Sequence, residues 1–311
     1  MEFELIERLK SALPHDSQLP LGIGDDCAIL ADDAGYEQLV TTDMLLDGVH
    51  FIYDTDKENA QSLELIARKS IAVSLSDIAA MGGEPQTAFL SLAIPRSWTA
   101  SQANELFDSF AHAASEFQIT VAGGDTTSWN HLLAINVTLI GRVPKSEAIR
   151  RSGAQAGDFI CVSGPLGSSL SGKHLAFMPR VQQGQWLREH CAIHAMIDIS
   201  DGLLADLGHI LQQSKVGAEI FTTQIPISKQ AGEISDNKSP LEHALTDGED
   251  FELLWTMPKS EYKKLMLQKE DFIKVHHIGN TTKEKGCFLV DQQGHKERRS
   301  DEGYVHQLGE E

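Results

Sequence analysis

The sequence predicts an α/β or α+β protein built from two domains, and three observations support this. First, the chain has 311 residues and a mass of 34.1 kDa, about twice the size of a typical domain. Second, strand-like and helix-like hydrophobic patterns alternate in both halves. Third, proline, glycine and charged residues replace the apolar pattern over residues 141–157. We therefore predict domains at residues 1–145 and 146–311.

The first half contains three predicted helices and four predicted strands. We expect helices over residues 3–12, 60–81 and 99–117, and strands over residues 38–43, 87–94, 119–122 and 133–139. In the second helix, apolar residues from Leu63 to Ile78 recur at helical spacing, and Gly82-Gly83 ends the pattern. The last strand alternates between apolar and polar residues, as a half-buried strand does.

The second half repeats this alternation of strands and helices. Strands are expected over residues 159–163, 218–222 and 251–257, and helices near residues 181–190, 201–213 and 259–268. Residues 164–179 have the composition of a loop, and the end of the chain is strand-like.

The net charge excludes several classes of partner. The 45 acidic residues outnumber the 26 basic ones, for a formal charge of -19. Such a chain does not suit the phosphate backbone of nucleic acids or an anionic membrane surface. The N-terminus lacks the apolar core of a signal peptide, and no apolar run reaches the ~18 residues that span a bilayer. The four cysteines show no metal or disulfide spacing, so we expect reduced thiols and a cytoplasmic protein.

The acidic residues follow a recurring pattern. Six segments place Asp or Glu beside Gly, Ser or Thr where a predicted element ends: Gly24-Asp25-Asp26, Thr42-Asp43, Ser76-Asp77, Gly124-Asp125, Asp198-Ile199-Ser200-Asp201 and Gly248-Glu249-Asp250. Each alone is usually a turn or a helix cap, and Asp201 could cap the helix that follows it. Converging carboxylates repel one another unless cations neutralise them. Because oxygen ligands suit Mg²⁺, the pattern favours a magnesium site and a phosphorylated substrate.

Other motifs fit their usual functions poorly. Residues 198–209 resemble a calcium loop, but His209 stands where the bidentate Glu belongs. Residues 167–174 resemble a phosphate-binding loop, but His174 replaces the hydroxyl residue that binds Mg²⁺, and a flexible Gly/Ser loop is the better interpretation. No nucleophile elbow occurs. His50, near the Thr42-Asp43 segment, is equally consistent with a surface or capping histidine and with a site residue.

Together, these motifs resemble the thiamine-monophosphate kinase family. That family belongs to a larger group of ATP-using enzymes that includes aminoimidazole ribonucleotide synthetase and selenophosphate synthetase. The matching segments run in order along nearly the whole chain: Gly22–Asp26, Thr42–Leu45, Gly48–Phe51, Ala72–Gly82, Gly123–Thr127, Arg151–Ala154, Gly157-Asp158, Ile197–Leu203, Gly248–Leu253 and Gly303–His306.

The resemblance implies a fold, a reaction and a set of site residues. The implied fold is the two-domain aminoimidazole ribonucleotide synthetase-like fold, with N-terminal sheets that pair in a homodimer. The implied reaction is direct transfer of the ATP γ-phosphoryl group to thiamine monophosphate, with no phosphoenzyme. The positions that match magnesium ligands are Asp26, Thr41, Thr42, Asp43, Asp77, Asp125, Asp198 and Asp201. Those that match nucleotide contacts are Gly124, Asp125, Arg151 and Ser200, and those that match the thiamine-phosphate site are His50, Glu249 and Tyr304.

The chain departs from the family pattern in two regions. The segment between Leu170 and Pro179 is shorter than usual, and Ser168-Ser169 stands where the family has Asp beside Ser. On the substrate side, Asp247 precedes Gly248, and Gln307 follows His306. Two alternatives therefore accompany the kinase hypothesis. One is a same-fold enzyme that acts on another small phosphate or carboxylate, and the other is a non-catalytic binder of nucleotide or thiamine diphosphate.

Overall fold

The computed structural model describes residues 2–12, 19–31, 35–53, 60–299 and 303–304. These residues form two sheets with helices packed against them. All strands of the first sheet end by Pro144, and those of the second begin at Phe159. The predicted boundary between residues 145 and 146, which remains a prediction, falls between the two sheets. Within the described residues, no helix is both long and apolar enough to cross a membrane.

The first half builds a five-stranded sheet. Its elements are α1 (Glu2–Ala12), β1 (Ala28–Ala31), β2 (Tyr36–Leu46), α2 (Leu63–Ala80), β3 (Glu84–Pro95), α3 (Ala100–Glu116), β4 (Thr120–Trp129) and β5 (Ala134–Pro144). The strand order is β1-β2-β5-β3-β4, and only β3 and β4 run parallel. Ser62 caps α2 by accepting the Leu65 N–H, and Thr99 and Gln102 form a capping box on α3.

The two faces of this sheet differ in their surroundings. One face packs on α2 and α3 and contributes buried residues such as Leu39, Leu90 and Val137 to the core. The opposite face, which we call the outer face, is exposed: Met44 is 60% and Phe89 is 39% exposed. Apolar groups of this size in one region of a surface are typical of a protein interface.

The second half builds a seven-stranded sheet in the order β12-β11-β8-β10-β6-β9-β7. Its elements are β6 (Phe159–Val162), α4 (Lys173–Ala176), α5 (Val181–His190), β7 (Ala195–Asp198), α6 (Leu203–Ser214), β8 (Gly217–Phe221), α7 (Pro240–Thr246), β9 (Leu253–Met257), α8 (Lys259–Gln268), β10 (His276–Thr282), β11 (Cys287–Val290) and β12 (Lys296–Arg299). Short 3₁₀ turns lie at Ser169–Ser171, Thr222–Gln224 and Lys229–Gly232. Only β8 and β11 pair in parallel.

Helix α2 joins the two halves. Nearly all of its residues are buried, because it packs on β2 and β5 of the first sheet and on α5 and β7 of the second half. The approach to α5 is so close that a Cβ atom on Gly184 would lie 2.1 Å from the Ala79 carbonyl oxygen. Side chains on α2 can therefore reach a cleft that both halves line.

Most predicted elements are confirmed, with shifts at their ends. The helices at residues 181–190 and 259–268 have the predicted bounds. The predicted strand 119–122 is too short, because β4 continues to Trp129 and takes up the Gly123–Thr127 motif. The predicted loop 164–179 contains the short helix α4, and β1, β7 and α7 were not predicted.

Candidate active site

Three acidic motifs from distant parts of the chain meet in the cleft between the halves. Asp26 follows the glycine loop, Asp77 lies near the end of α2, and Asp198 ends β7. One carboxylate oxygen from each lies within 4.8 Å of the other two. We call these three residues the acidic cluster. The convergence predicted from sequence is therefore present for three of the six motifs in this cluster.

Hydroxyl groups hold the carboxylates of this region in place. Thr41 donates a hydrogen bond to Asp77. From α2, Ser76 donates to Asp198 over 2.6 Å and Ser74 donates to Asp43 over 2.5 Å. Because β2 alternates its side chains, Thr41 and Asp43 point to α2 while Thr42 points away.

Full ionisation of the acidic cluster is unfavourable in this buried site. Burial, reinforced by the charges of Asp43, Asp198 and Asp26, raises the pKa of Asp77 well above its ordinary value. Burial and then the charge of Asp26 raise the pKa of Asp198 and of Asp25 to about 7. The buried Oδ2 atom of Asp26 has no hydrogen-bond partner among the described residues.

These properties fit a hard divalent cation. Carboxylate and hydroxyl oxygens are the donors that Mg²⁺ prefers, and a cation would neutralise the mutual repulsion. Arg151 supplies the only positive charge in direct contact with the described acidic cluster, through Nη2 at 2.8 Å from Asp26 Oδ1. Its backbone N–H also donates to Asp25 over 3.2 Å, which ties the start of the second half to the glycine loop.

A cavity of about 500 Å³ adjoins the acidic cluster. It is lined by Thr42, Asp43, Met44, Leu45, Val49, His50, Lys69, Val73, Ser200, Asp201, Gly248, Glu249, Phe251 and Tyr304. This cavity brings together all three residues that match a thiamine-phosphate site, His50, Glu249 and Tyr304. It also contains Ser200, one of the predicted nucleotide contacts. A volume of this size accommodates a small phosphorylated molecule.

The loop that carries Glu249 is strained and is joined by main-chain hydrogen bonds to the loop that carries Ser200. Glu249 and Phe251 have left-handed backbone conformations, with φ of 63° and 50°. The Glu249 N–H donates to the Ser200 carbonyl over 2.6 Å, and the Phe251 N–H donates to the Ile199 carbonyl over 2.8 Å. Backbone strain of this kind concentrates at functional sites.

Asp201 does not cap α6. The N-cap residue is Gly202, and the Asp206 carboxylate accepts the N–H groups of Asp201 and Gly202. Asp201 instead lines the cavity, and its backbone carbonyl accepts the Tyr304 N–H over 2.9 Å. It also lies close to Asp206 and His209, in a second group of potential ligands.

Asp125 and Gly124 lie apart from the acidic cluster within one chain. They belong to the edge strand β4, and Asp125 pairs with the exposed Ser91 of β3. Its side chain therefore points to the outer face. Three strand spacings, about 14 Å, separate β4 from β2. The Thr42 hydroxyl is also on the outer face, where it is bonded to Asn136 and Thr138.

The loop over residues 164–180 packs onto the site through Glu252. This buried carboxylate contacts Arg180 Nη2 at 2.7 Å, Lys173 Nζ at 3.0 Å and the Ser163 hydroxyl at 2.6 Å. Burial alone would raise the pKa of Glu252, but these hydrogen bonds and charges lower it. The Phe177 ring stacks on Phe251, with ring centroids 4.2 Å apart.

In the segment that resembles a phosphate-binding loop, groups that would bind phosphate are hydrogen-bonded to other protein groups. The Gly167 N–H donates to Asp250 Oδ2 over 2.8 Å, and Lys173 bonds to Glu252 and to the Pro165 carbonyl. Sequence reasoning missed the contacts of Glu252 and also missed Lys69, whose Nζ donates to Glu249 Oε1 over 2.5 Å. A lysine within the apolar pattern of α2 was the available signal for Lys69.

Family models and known proteins match this chain over most of its length. The model for the AIR synthase related protein N-terminal domain matches residues 24–143, and that for the C-terminal domain matches residues 155–292. The thiamine-monophosphate kinase of Rhodopirellula baltica is 34% identical, over 98% of this chain and 97% of its own length. That of Bacillus subtilis is 32% identical, over 94% of this chain and 95% of its own length. That of Escherichia coli K12 is 35% identical, over 83% of this chain and 83% of its own length.

Solved structures show the same architecture. AaThiL complexed with AMPPCP and TMP has a TM-score of 0.80 and 30% identity, covering 96% of this chain and 95% of its own. Thiamine-monophosphate kinase from Stenotrophomonas maltophilia K279a has a TM-score of 0.72 and 34% identity, covering 93% and 96%. E. coli HypE, a hydrogenase maturation protein, shares the fold at a TM-score of 0.70 and 18% identity, over 98% of this chain and 99% of its own. Given two family models that span most of the sequence and relatives of 32% to 35% identity, the chain belongs to the thiamine-monophosphate kinase family.

Proposed function

We propose that this chain transfers the γ-phosphoryl group of ATP to the phosphate of thiamine monophosphate, giving thiamine diphosphate and ADP. One observation carries the proposal: Asp43 lines the cavity that holds His50, Glu249 and Tyr304, and its carboxylate interacts electrostatically with Asp77 of the acidic cluster. The activity of the named relatives supports it, as does the related structure that holds an ATP analogue together with TMP.

The charges of the reactants explain why such a site needs cations. Both ATP and the acceptor are anions, so their phosphates repel each other and the acidic cluster. Asp26, Asp77 and Asp198, with Asp43 and Thr41 beside them, would hold Mg²⁺. Bound Mg²⁺ neutralises the phosphate charge and the charge that develops during transfer.

The remaining side chains bind and orient the two substrates. We propose that Arg151 and Ser200 contact the nucleotide, and that His50, Glu249 and Tyr304 position the acceptor. The hydrogen bond between the Glu249 N–H and the Ser200 carbonyl keeps the acceptor contacts at a fixed separation from the nucleotide contacts. Transfer is direct, so positioning and charge neutralisation supply most of the rate.

We further propose that the enzyme is a homodimer that pairs through the outer face of its first sheet. The exposed Met44 and Phe89 favour such pairing. Thr42 and Asp125 lie on this face. A second copy would therefore bring Gly124 and Asp125 of β4, which match nucleotide and metal positions, into a shared interface. This accounts for the separation of Asp125 from the acidic cluster within one chain.

We also propose a cytoplasmic location. Among the described residues, no disulfide joins any of Cys27, Cys161, Cys191 and Cys287, which is the state that a reducing compartment maintains.

The test is a reaction of the purified chain with ATP, MgCl₂ and thiamine monophosphate. We expect ADP and thiamine diphosphate in equal amounts, measured by chromatography. Absence of turnover above a reaction without protein would contradict the proposal. Turnover on a different phosphate or carboxylate would select the same-fold enzyme, and tight binding by calorimetry without turnover would select the non-catalytic binder.

A further inference from the structure

Lys69 is a buried cation in a helix whose other buried residues are apolar residues and serines. It lies on α2 and is fully buried, with 0% of its surface exposed, next to the buried Ser70 and Ile66. Lysine is almost never buried to this extent without a partner, because its ammonium group loses its hydration. Its presence in the core therefore requires a specific compensating contact.

The ammonium group contacts two parts of the cavity wall that are distant in sequence. Lys69 Nζ donates to the His50 backbone carbonyl over 2.7 Å and to Glu249 Oε1 over 2.5 Å. His50 belongs to the turn after β2 in the first half, and Glu249 belongs to the strained loop before β9 in the second half. Lys69 thus connects the two residues between which we place the acceptor.

The ion pair also controls the charge of the cavity wall. Glu249 is 29% exposed and shares the cavity with the carboxylates of Asp43 and Asp201. Burial lowers the pKa of Lys69, while the charge and hydrogen bond of Glu249 raise it. Without the ammonium group, Glu249 would lose its partner and be repelled by its neighbours, and the His50 turn would lose a donor.

We propose that Lys69 is a positioning residue for the acceptor: it holds the His50 turn and the Glu249 carboxylate in the geometry that binds thiamine monophosphate. This inference rests on the proposed function for the identity of the acceptor. Lys69 acts through His50 and Glu249 rather than on the reacting phosphates.

The kinetic test compares Lys69→Met with Ser70→Ala. Methionine keeps the length and apolar stem of lysine but removes the ammonium group. Ser70 is a matched control, because it is buried on the same helix and its hydroxyl donates within that helix, to the Ile66 carbonyl over 2.8 Å. We expect Lys69→Met to raise the KM for thiamine monophosphate by about tenfold or more. The KM for ATP and kcat should stay within about twofold of the parent, as should all constants of Ser70→Ala.

A double variant tests whether Lys69 acts through Glu249. If it does, Lys69→Met combined with Glu249→Gln raises the acceptor KM by less than the product of the two single effects. Fully multiplicative effects, or an acceptor KM that Lys69→Met leaves unchanged, would overturn the proposal.

Hydrogen exchange tests the positioning role independently of the reaction. The amides of Gly48, His50 and Glu249 donate to Phe51, Leu46 and Ser200. We expect these amides to exchange about tenfold faster in Lys69→Met, with exchange in α3 unchanged. If the parent has no activity on thiamine monophosphate, the proposed function is wrong, and this measurement still decides the role of Lys69. If Lys69→Met does not fold, the double variant, which leaves no unpaired Glu249 charge, is measured instead. Unchanged exchange at Gly48 and His50 would then contradict the proposal.

Discussion

Asp77 lies one turn from the end of α2, surrounded by the carboxylates of Asp26, Asp43 and Asp198. Burial and these charges make its ionised form unfavourable when no cation is present. Asp77 therefore lowers the stability of the metal-free fold, and its proposed function is to bind the cation. Stability and activity should therefore respond in opposite directions when its charge is removed.

We expect Asp77→Asn to lower kcat by about 100-fold while leaving the metal-free melting temperature equal to or above that of the parent. The amide keeps an acceptor for the Thr41 hydroxyl, so packing is preserved. Thermal unfolding without metal and a coupled assay for ADP measure the two effects. Asp108→Asn, the same change at an exposed position of α3, should alter neither. A metal-free variant that melts well below the parent would show that Asp77 is structural.

The raised pKa values predict how pH and Mg²⁺ act together. Asp25 and Asp198 have a pKa of about 7 in the folded chain, against an ordinary value of 3.8. Between these values the folded chain retains protons that the unfolded chain has lost. The stability that these groups contribute is thus fully present below about pH 4 and is lost as the pH rises through about 7.

Mg²⁺ should therefore stabilise the protein more at about pH 8 than at about pH 5, because at low pH it must displace protons. At a concentration 100 times its dissociation constant the cation adds about 2.7 kcal/mol. Melting temperatures with and without MgCl₂ at both pH values measure the effect, with NaCl at matched ionic strength as the control. An equal shift at both pH values would contradict the assignment of Asp198 and the rest of the acidic cluster to the metal.

Individual residues show what sequence reasoning could and could not predict. The acidic motifs were recognisable because each combines a small residue with a carboxylate. Lys69 and Glu252 were not, because their roles depend on partners more than 70 positions away: Glu249 for Lys69, and Arg180 for Glu252. The sequence of one segment does not show which charged residue from a distant segment will contact it in the folded chain.

At the scale of elements, the packing of α5 on α2 determines the geometry of the cleft. Gly184 lies at the contact, and a Cβ atom there would overlap the Ala79 carbonyl oxygen at 2.1 Å. Since the added Cβ atom is fixed directly to the backbone of α5 and the carbonyl oxygen belongs to the backbone of α2, neither can move without a shift of the whole helix. Ala79 lies only two residues from Asp77, so such a shift would also reach the acidic cluster.

Gly184→Ala should destabilise the protein by about 2 kcal/mol, although alanine is ordinarily the better helix former. Denaturant unfolding monitored by circular dichroism gives the free energy. Gln182→Ala, at an exposed position of the same helix, should change it by no more than about 0.5 kcal/mol. A stabilised Gly184→Ala would show that the two helices are not in contact at this point.

The elements also show where hydrophobic patterns fail. Long amphipathic segments such as α3 and α5 were predicted well, because their spacing is local. Strand β4 was predicted to end at Ala122, because glycines and polar residues dominate beyond it. Its pairing with β3 up to Trp129 depends on tertiary contacts, with Gly124 packed against the Leu90 backbone.

At the scale of the whole molecule, the outer face is the apolar surface that a single chain leaves exposed. We expect Phe89→Asp to convert a dimer, twice 34.1 kDa, to a monomer and to reduce kcat by at least about tenfold, because Asp125 would lose its shared interface. Analytical ultracentrifugation measures the mass. Phe107→Asp, at a similarly exposed phenylalanine of α3, is the matched control and should leave both properties unchanged. A parent that is monomeric at micromolar concentration and fully active would contradict the proposed dimer.

The main-chain hydrogen bonds between residues 199–200 and 249–251 have a consequence for how new specificities arise. These bonds do not depend on which side chains the two loops carry. The spacing between phosphoryl donor and acceptor is therefore inherited with the backbone, while the groups that select the acceptor, such as His50 and Tyr304, can be exchanged. A descendant of this chain could change its acceptor without rebuilding the distance over which the phosphoryl group travels.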